Sequence, residues 1–311
     1  MDSSLSDRLE KLLKSGKITE EEKEELEKAI FGSSARESAH GYASKEEETR
    51  EEEGTRESLQ LVELRQFFHT DIEVNGGETF AVIKGKEHLT IVRKENAILI
   101  TPEKPLNRTL GSFLTRIREQ DKVVLTVPKN THLKVKAVSS DVEVNGMQGD
   151  LSISTVSGDV EVTGTIEVDK TPRIEISTIS GDVELNGITA ELDVKLKSGD
   201  LSVHSSKVSG LIKLYSGDVE VSDTEFVSNL AIKTFSGDTE LKEVKVKGSV
   251  EVETFYGDID IVVKNRDLSV SAESKRGTVS IDSALKDAKG HPLKVRTNRG
   301  DISIKQIGGA L

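Results

Sequence analysis

The chain has 311 residues and a formal net charge of −12; 34% of its residues are hydrophobic, 4% are aromatic, and it holds neither cysteine nor tryptophan. The negative charge argues against nucleic acid as the main partner, and the missing cysteines exclude disulfides and thiol chemistry. No apolar run reaches the ~18 residues of a membrane span, and the opening MDSSLSDRLEKLL lacks the form of a signal peptide, so the expected location is the cytoplasm, with the cell surface reached only by non-classical export.

Residues 1–31 predict a small helical hairpin. Leu5, Leu9, Leu12 and Leu13 form one stripe that stops at Gly16. Ile18 lies in the connection, and Thr19-Glu20-Glu21-Glu22 is a capping box that opens a second stripe of Leu26, Ala29 and Ile30. Such a short hairpin has too little core to stand alone. Leu9, Leu12, Leu13, Ile18, Leu26 and Ile30 are therefore expected to dock on a partner, on another copy, or on the rest of the chain. Residues 32–57 are polar and carry Glu46-Glu47-Glu48 and Glu51-Glu52-Glu53, which predicts a flexible charged linker.

Residues 58–132 read as β structure without a repeat. Strands are expected at Leu59 to Leu64, Asp71 to Val74, Phe80 to Lys84, Leu89 to Val92, Ile98 to Ile100 and Val123 to Val127, with a short helix over Leu106 to Arg118. The expected role is a β cap over the first of the coils that begin at residue 133, because an unpaired sheet edge invites aggregation.

From residue 133 to 304 one motif returns: SSDVEV at Ser139, SGDVEV at Ser157, SGDVEL at Ser180, SGDLSV at Ser198, SGDVEV at Ser216, SGDTEL at Ser236, YGDIDI at Tyr256, RGTVSI at Arg276 and RGDISI at Arg299. A nearly fixed period of 18 to 23 residues marks a repeat architecture. Around Gly158, apolar residues stand at minus seven, minus five, plus two and plus four: Leu151, Ile153, Val160 and Val162. Spacing by two means two short strands with one buried face, and Ser-Gly-Asp is the corner between them. One coil cannot bury that face alone, but stacked coils do. The prediction is a mainly β chain: a parallel, right-handed β-solenoid of about nine coils, rising ~4.8 Å per coil, with residues 305–311 as a tail. Arg296, Arg299 and Lys305 are expected to guard its far edge.

VVLTVPKNTHLKVKAVSSDVEVNG, followed by SISTVSGDVEV and its repeats, resembles the DUF4097 family of adhesin-like β-solenoids over roughly residues 60–304. LEKLLKSGKITEEEKEELEKAI resembles the SHOCT-like hairpin that precedes that domain in some members. The two together are similar to surface proteins of the Lia envelope-stress system. That resemblance implies a regulatory, peptide-sensing role at the cell envelope.

No catalytic constellation stands out. His40, His69, His88, His132, His204 and His291 are scattered without metal-ligand spacing, and no cofactor is expected. Two columns remain as candidates. Val156, Ile179, Lys197, Tyr215, Phe235 and Phe255 precede each corner Gly by two; they are expected to fill the corner of the core rather than to form an exposed stripe. The second column is acidic and faces outward: Asp141 and Glu143, Asp159 and Glu161, Asp182 and Glu184, Asp218 and Glu220, Asp238 and Glu240, Asp258 and Asp260. It is either a ligand-binding strip for cations or a cationic peptide, or a device for solubility. The resulting reading is a non-enzymatic interaction scaffold whose partners are proteins or cationic peptides. A β-helix carbohydrate-active enzyme and a structural adhesin or filament unit are the alternatives.

Overall fold

A computed structural model describes residues 59–103, 121–164, 170–286 and 288–307. The expected hairpin (1–31), the linker (32–57) and the short helix over 106–118 lie outside the described residues. Those described belong to one compact unit, Leu59–Leu311.

The chain alternates between two sheets, one strand in each per coil. It starts with β1 (Leu61–Phe67), β2 (Thr70–Gly77), β3 (Ala81–Lys84), β4 (Leu89–Lys94), β5 (Ala97–Pro102), β6 (Asp121–Pro128), β7 (His132–Ala137) and β8 (Val142–Asn145). The central coils are β9 (Leu151–Ser157) and β10 (Val160–Thr163), β11 (Arg173–Ser180) and β12 (Val183–Asn186), β13 (Thr189–Ser198) and β14 (Leu201–His204), β15 (Lys207–Ser216) and β16 (Val219–Ser222). The last are β17 (Glu225–Ser236) and β18 (Thr239–Val246), β19 (Val250–Tyr256) and β20 (Ile259–Val263), β21 (Leu268–Ser274) and β22 (Val279–Ile281), and β23 (His291–Arg299) and β24 (Ile302–Gln306). Each central strand pairs in parallel with its equivalent one coil away, in the register that the repeat demands; Val160, for instance, stands between Val142 and Val183. This is the parallel β-solenoid that the periodicity predicts.

The apolar columns run down the inside. Val160, Val183, Leu201, Val219, Ile259 and Ile302 are each at most 1% exposed. A column three residues before the corner joins them: Thr155, Thr178, Leu196, Leu214, Thr234, Thr254 and Thr297 are all buried. Thr fits a buried β corner because its methyl packs inward while its hydroxyl reaches backbone, as when Thr178 Oγ1 donates to the Ser180 carbonyl at 3.3 Å. The coil also has a short third run, where Phe226 pairs with Val208 and Val246. Here Ser206 and Thr224 are buried and linked, the Ser206 N–H donating to Thr224 Oγ1 at 3.3 Å, while Ser206 Oγ accepts from the Ile188 N–H at 3.1 Å and donates to the His204 carbonyl at 2.6 Å.

Both ends depart from chain order. At the start, β1 pairs with β5 on one side and with β7 on the other, and β2 likewise lies between β6 and β8. The ladder therefore reaches back to Leu61, before the repeat becomes visible in the sequence. Antiparallel β4 and β3 then flank β5 and β6 and are the outermost strands there among the described residues. At the far end β23 pairs with both β19 and β21, and β24 with both β20 and β22. Among the described residues the terminal coil in space is thus 268–281, not 302–306. Arg296, Arg299 and Lys305 sit one coil in, so the expectation that they guard the edge is wrong; a local repeat motif carries no information on which coil stacks last.

Candidate functional site

The corner packs backbone closely against backbone. Gly158, Gly181, Gly199, Gly217, Gly237, Gly257 and Gly300 adopt φ between 132° and 148°. Any Cβ there would collide with backbone, for six of them the carbonyl of the corner glycine one coil away and for Gly158 that of Ser140. Glycine is required twice over, by conformation and by space.

The aspartate after each glycine forms a ladder. Oδ1 of Asp141 accepts the backbone N–H of Asp159 at 2.9 Å, and the pattern continues through Asp182, Asp200, Asp218, Asp238 and Asp258 to Asp301 at 2.7 to 2.9 Å. Asp301 in turn accepts from the N–H of Thr278 at 2.7 Å, and this bond holds its carboxyl below the usual range. Among the described residues the ladder therefore ends at Thr278, in the outermost coil. Asp200, which has Ser202 and not an acid two residues on, is a rung like the others. The Asp half of the expected acidic strip is in this way accounted for by backbone pairing, with one oxygen of each carboxylate engaged.

The Glu half has no such duty. Glu143, Glu161 and Glu184 lie side by side in β8, β10 and β12, and Glu220, Glu240 and Asp260 in β16, β18 and β20. Ser202 of β14 separates the two groups. Their surroundings differ. Lys122 bridges Glu73 at 2.6 Å and Glu143 at 3.5 Å, which lowers the Glu73 pKa. Lys242 bridges Glu220 at 3.0 Å and Glu240 at 2.9 Å, and hydrogen bonds to both raise its pKa. Glu161 and Glu184 are exposed, and among the described residues neither has a cation within 4.0 Å. Lys195, Lys213 and Lys233 form a column of their own, but on β13, β15 and β17 in the other sheet. Lys195 faces Asp193 at 3.3 Å and Lys233 faces Glu253 at 2.9 Å, so that column belongs to a separate ion-pair network.

The aromatic column does not fill the corner. Tyr215, Phe235 and Phe255 are 57%, 41% and 43% exposed. The buried threonines and leucines one position earlier take the corner, and strict alternation turns the next side chain out. Tyr215 stacks on Phe235 at 4.9 Å and Phe235 on Phe255 at 5.2 Å, both with ring planes within 8°. Tyr256 packs edge-on against Phe255, and Arg299 covers its ring at 5.2 Å. The stacked rings hide their faces from one another and show their edges to solvent, so the column offers little face area for cation–π contact.

Among the described residues no group of three His, Asp or Glu side chains converges as a metal site. No described helix is long and apolar enough to cross a membrane. The six hairpin candidates, Leu9 to Ile30, lie outside the described residues.

Residues 62–305 match the family described as Toastrack DUF4097. The chain belongs to that family. Membership of the Toastrack family fits a non-enzymatic surface or scaffold protein. The chain is also similar to a solved structure described as a "putative cell adhesion protein" from Clostridium sporogenes ATCC 15579, at 12% identity over 80% of this chain and 93% of that one, with a TM-score of 0.20. No curated protein matches.

Proposed function

We propose that this Toastrack chain is a non-enzymatic binding scaffold that takes up a cationic peptide on its acidic face, in a sensing or regulatory role at the cell envelope. The observation that carries this reading is the uncompensated pair Glu161 and Glu184. They occupy adjacent rungs, exposed and without a nearby cation among the described residues. At a rung spacing of ~4.8 Å two unit charges repel by about 0.9 kcal/mol even at the dielectric of bulk water. Next to them runs the Asp ladder, in which Oδ1 of each carboxylate takes the backbone bond and Oδ2 has no hydrogen bond among the described residues. A cation laid along these rungs relieves that repulsion, whereas the Glu220/Glu240 rungs already have Lys242. The hairpin of residues 1–31 would tie the scaffold to a partner.

The test is titration of the full chain with a Lys/Arg-rich amphipathic peptide at low and high salt. Binding should weaken with salt. The pair Glu161→Gln/Glu184→Gln should reduce it more than Glu220→Gln/Glu240→Gln. Binding that is absent, or indifferent to salt and to both pairs of changes, overturns the reading.

A further inference from the structure

In the sheet that does not carry the acidic rungs, outward cations mostly touch an acid: Lys195 has Asp193, Lys233 has Glu253, and Lys294 has Glu251. The rungs of β1 and β7 differ. There Glu63 stands beside Lys134, and Arg65 beside Lys136. Glu63 is 8% exposed and holds Arg65 with both oxygens, at 2.7 Å each. Lys134 reaches the same carboxylate only at 4.0 Å. Lys136 has no carboxylate within 4.0 Å and no hydrogen bond through its amine among the described residues. Three cations thus share one acid. Lys213 also lacks an acid among the described residues, but it is exposed to water, whereas Lys136 is half-buried. Burial, and then the charges of Lys134 and Arg65, hold the Lys136 pKa below its ordinary value against the pull of Glu63. A partly desolvated cation without a counter-charge is unfavourable.

The next rung supplies what a cation cluster alone would lack. Ser152 and Ser154 of β9 lie directly beside Lys134 and Lys136. Both serines are half-buried, and neither hydroxyl has a hydrogen bond among the described residues. Rungs are ~4.8 Å apart and alternate residues on one strand about 6.7 Å apart, so two ammonium groups and two hydroxyls frame a single patch. Glu175, beside Ser152 on the rung beyond, is taken by Arg173 at 3.0 Å. We propose that Lys134, Lys136, Ser152 and Ser154 bind a phosphate-type oxyanion, either free phosphate or the phosphate of a lipid headgroup, with Arg65 adding positive charge beside them. Four donors spread over two rungs suit a tetrahedral anion with several acceptor oxygens better than a planar carboxylate with two. The local excess of two positive charges also matches a phosphate, which carries up to about two negative charges. This patch lies in the other sheet from Glu161 and Glu184, so it stands or falls independently of the cationic-peptide reading.

The test is calorimetric titration of the full chain with inorganic phosphate, against chloride at constant ionic strength. Binding should saturate. Lys136→Gln should weaken it about tenfold, the loss expected for one hydrogen bond to a charged group. Ser154→Ala should weaken it less, and Lys213→Gln should leave it unchanged. Lys136→Gln removes a charge without breaking a bond, so its circular dichroism spectrum should match the parent's. Phosphate should raise the Tm of the parent more than that of Lys136→Gln, whereas a general salt effect would raise both alike. Flotation with phosphatidylglycerol vesicles separates the two sources. Vesicle binding that inorganic phosphate competes away assigns the site to a headgroup, and phosphate binding without vesicle binding assigns it to the free ion. Absence of saturable phosphate binding overturns the inference. So does phosphate binding that is equal in the parent, Lys136→Gln and Ser154→Ala.

Discussion

The backbone N–H of Asp238 donates to Oδ1 of Asp218, one coil away, at 2.7 Å. This bond repeats at every corner of the central stack. It explains why the residue after each glycine is Asp, since a short side-chain acceptor must meet an outward amide that the sheet ladders do not reach. Asp218→Ala should cost about 1 kcal/mol, a typical loss for one such bond. Asp218→Asn keeps an acceptor in place and should cost less. Urea denaturation of the two variants separates hydrogen bonding from charge: equal losses would mean that the carboxylate charge, rather than the bond, is what matters.

Gly237 adopts φ 136° with the Gly217 carbonyl directly against it. Gly237→Ala should destabilise by about 3 kcal/mol or more, because strain and collision add. Gly146 has φ 65° and open space around it, so Gly146→Ala should cost only about 1 kcal/mol. Thermal or chemical unfolding of the two variants checks the contrast. Similar losses would show that space at the corner is not limiting.

Val252 is fully buried between Ile232 and Val295. Val252→Asp puts an unpaired carboxyl into the stack and should cost about 4 kcal/mol or more. Neighbouring rungs depend on one another, so loss should spread through the column rather than stay local. Hydrogen exchange across β17, β19 and β23 is the appropriate measurement; protection that stays at the parent's level in all three strands contradicts the assignment.

Several carboxyls have lowered pKa values: Glu73 through its bond to Lys122, Glu251 through its bond to Lys294, and Asp301 through the N–H of Thr278. A carboxyl that is more acidic in the folded state stabilises the fold fully above its unfolded pKa, about 4. That contribution disappears as pH falls through the lowered folded values. Stability should therefore be flat with respect to these groups from neutral pH to about 5 and decline below it. For Glu73→Gln the decline should be shallower, as read from denaturant midpoints along a pH series.

Much of this molecule was legible from residue spacing. The offsets of Leu151, Ile153, Val160 and Val162 around Gly158 identify the buried face, and the Ser-Gly-Asp corner identifies the turn, because both follow from the period of a strand and the needs of one backbone position. The outward placement of Glu161 and Glu184 follows from the same alternation. What spacing could not reveal is which of those acids have partners. Lys122 reaches Glu73 and Glu143, and Lys242 reaches Glu220, from other coils, and such contacts depend on where coils land in space; only Glu240, two residues before Lys242 on the same strand, has its partner within reach of the local spacing.

The aromatic column shows the same division. Alternation places Thr254 inside and Phe255 outside, but an apolar side chain beside a corner gives no sign of its own direction. Only the packed corner, already filled by Thr234, Thr254 and Thr297, settles that the rings face solvent.

The sequence by itself determined the repeat, the strand faces and the chemistry of the corner, since each rests on residues close together in the chain. The tertiary structure alone decided the stacking order at the two ends. There β1 and β2 are enclosed by later coils, and β23 and β24 slip in ahead of β21 and β22. Every coil offers the same pattern of amides and apolar side chains to its neighbours, so local pairing is satisfied by any order. Which coil is left outermost is settled by the connections and by the fit of whole rungs.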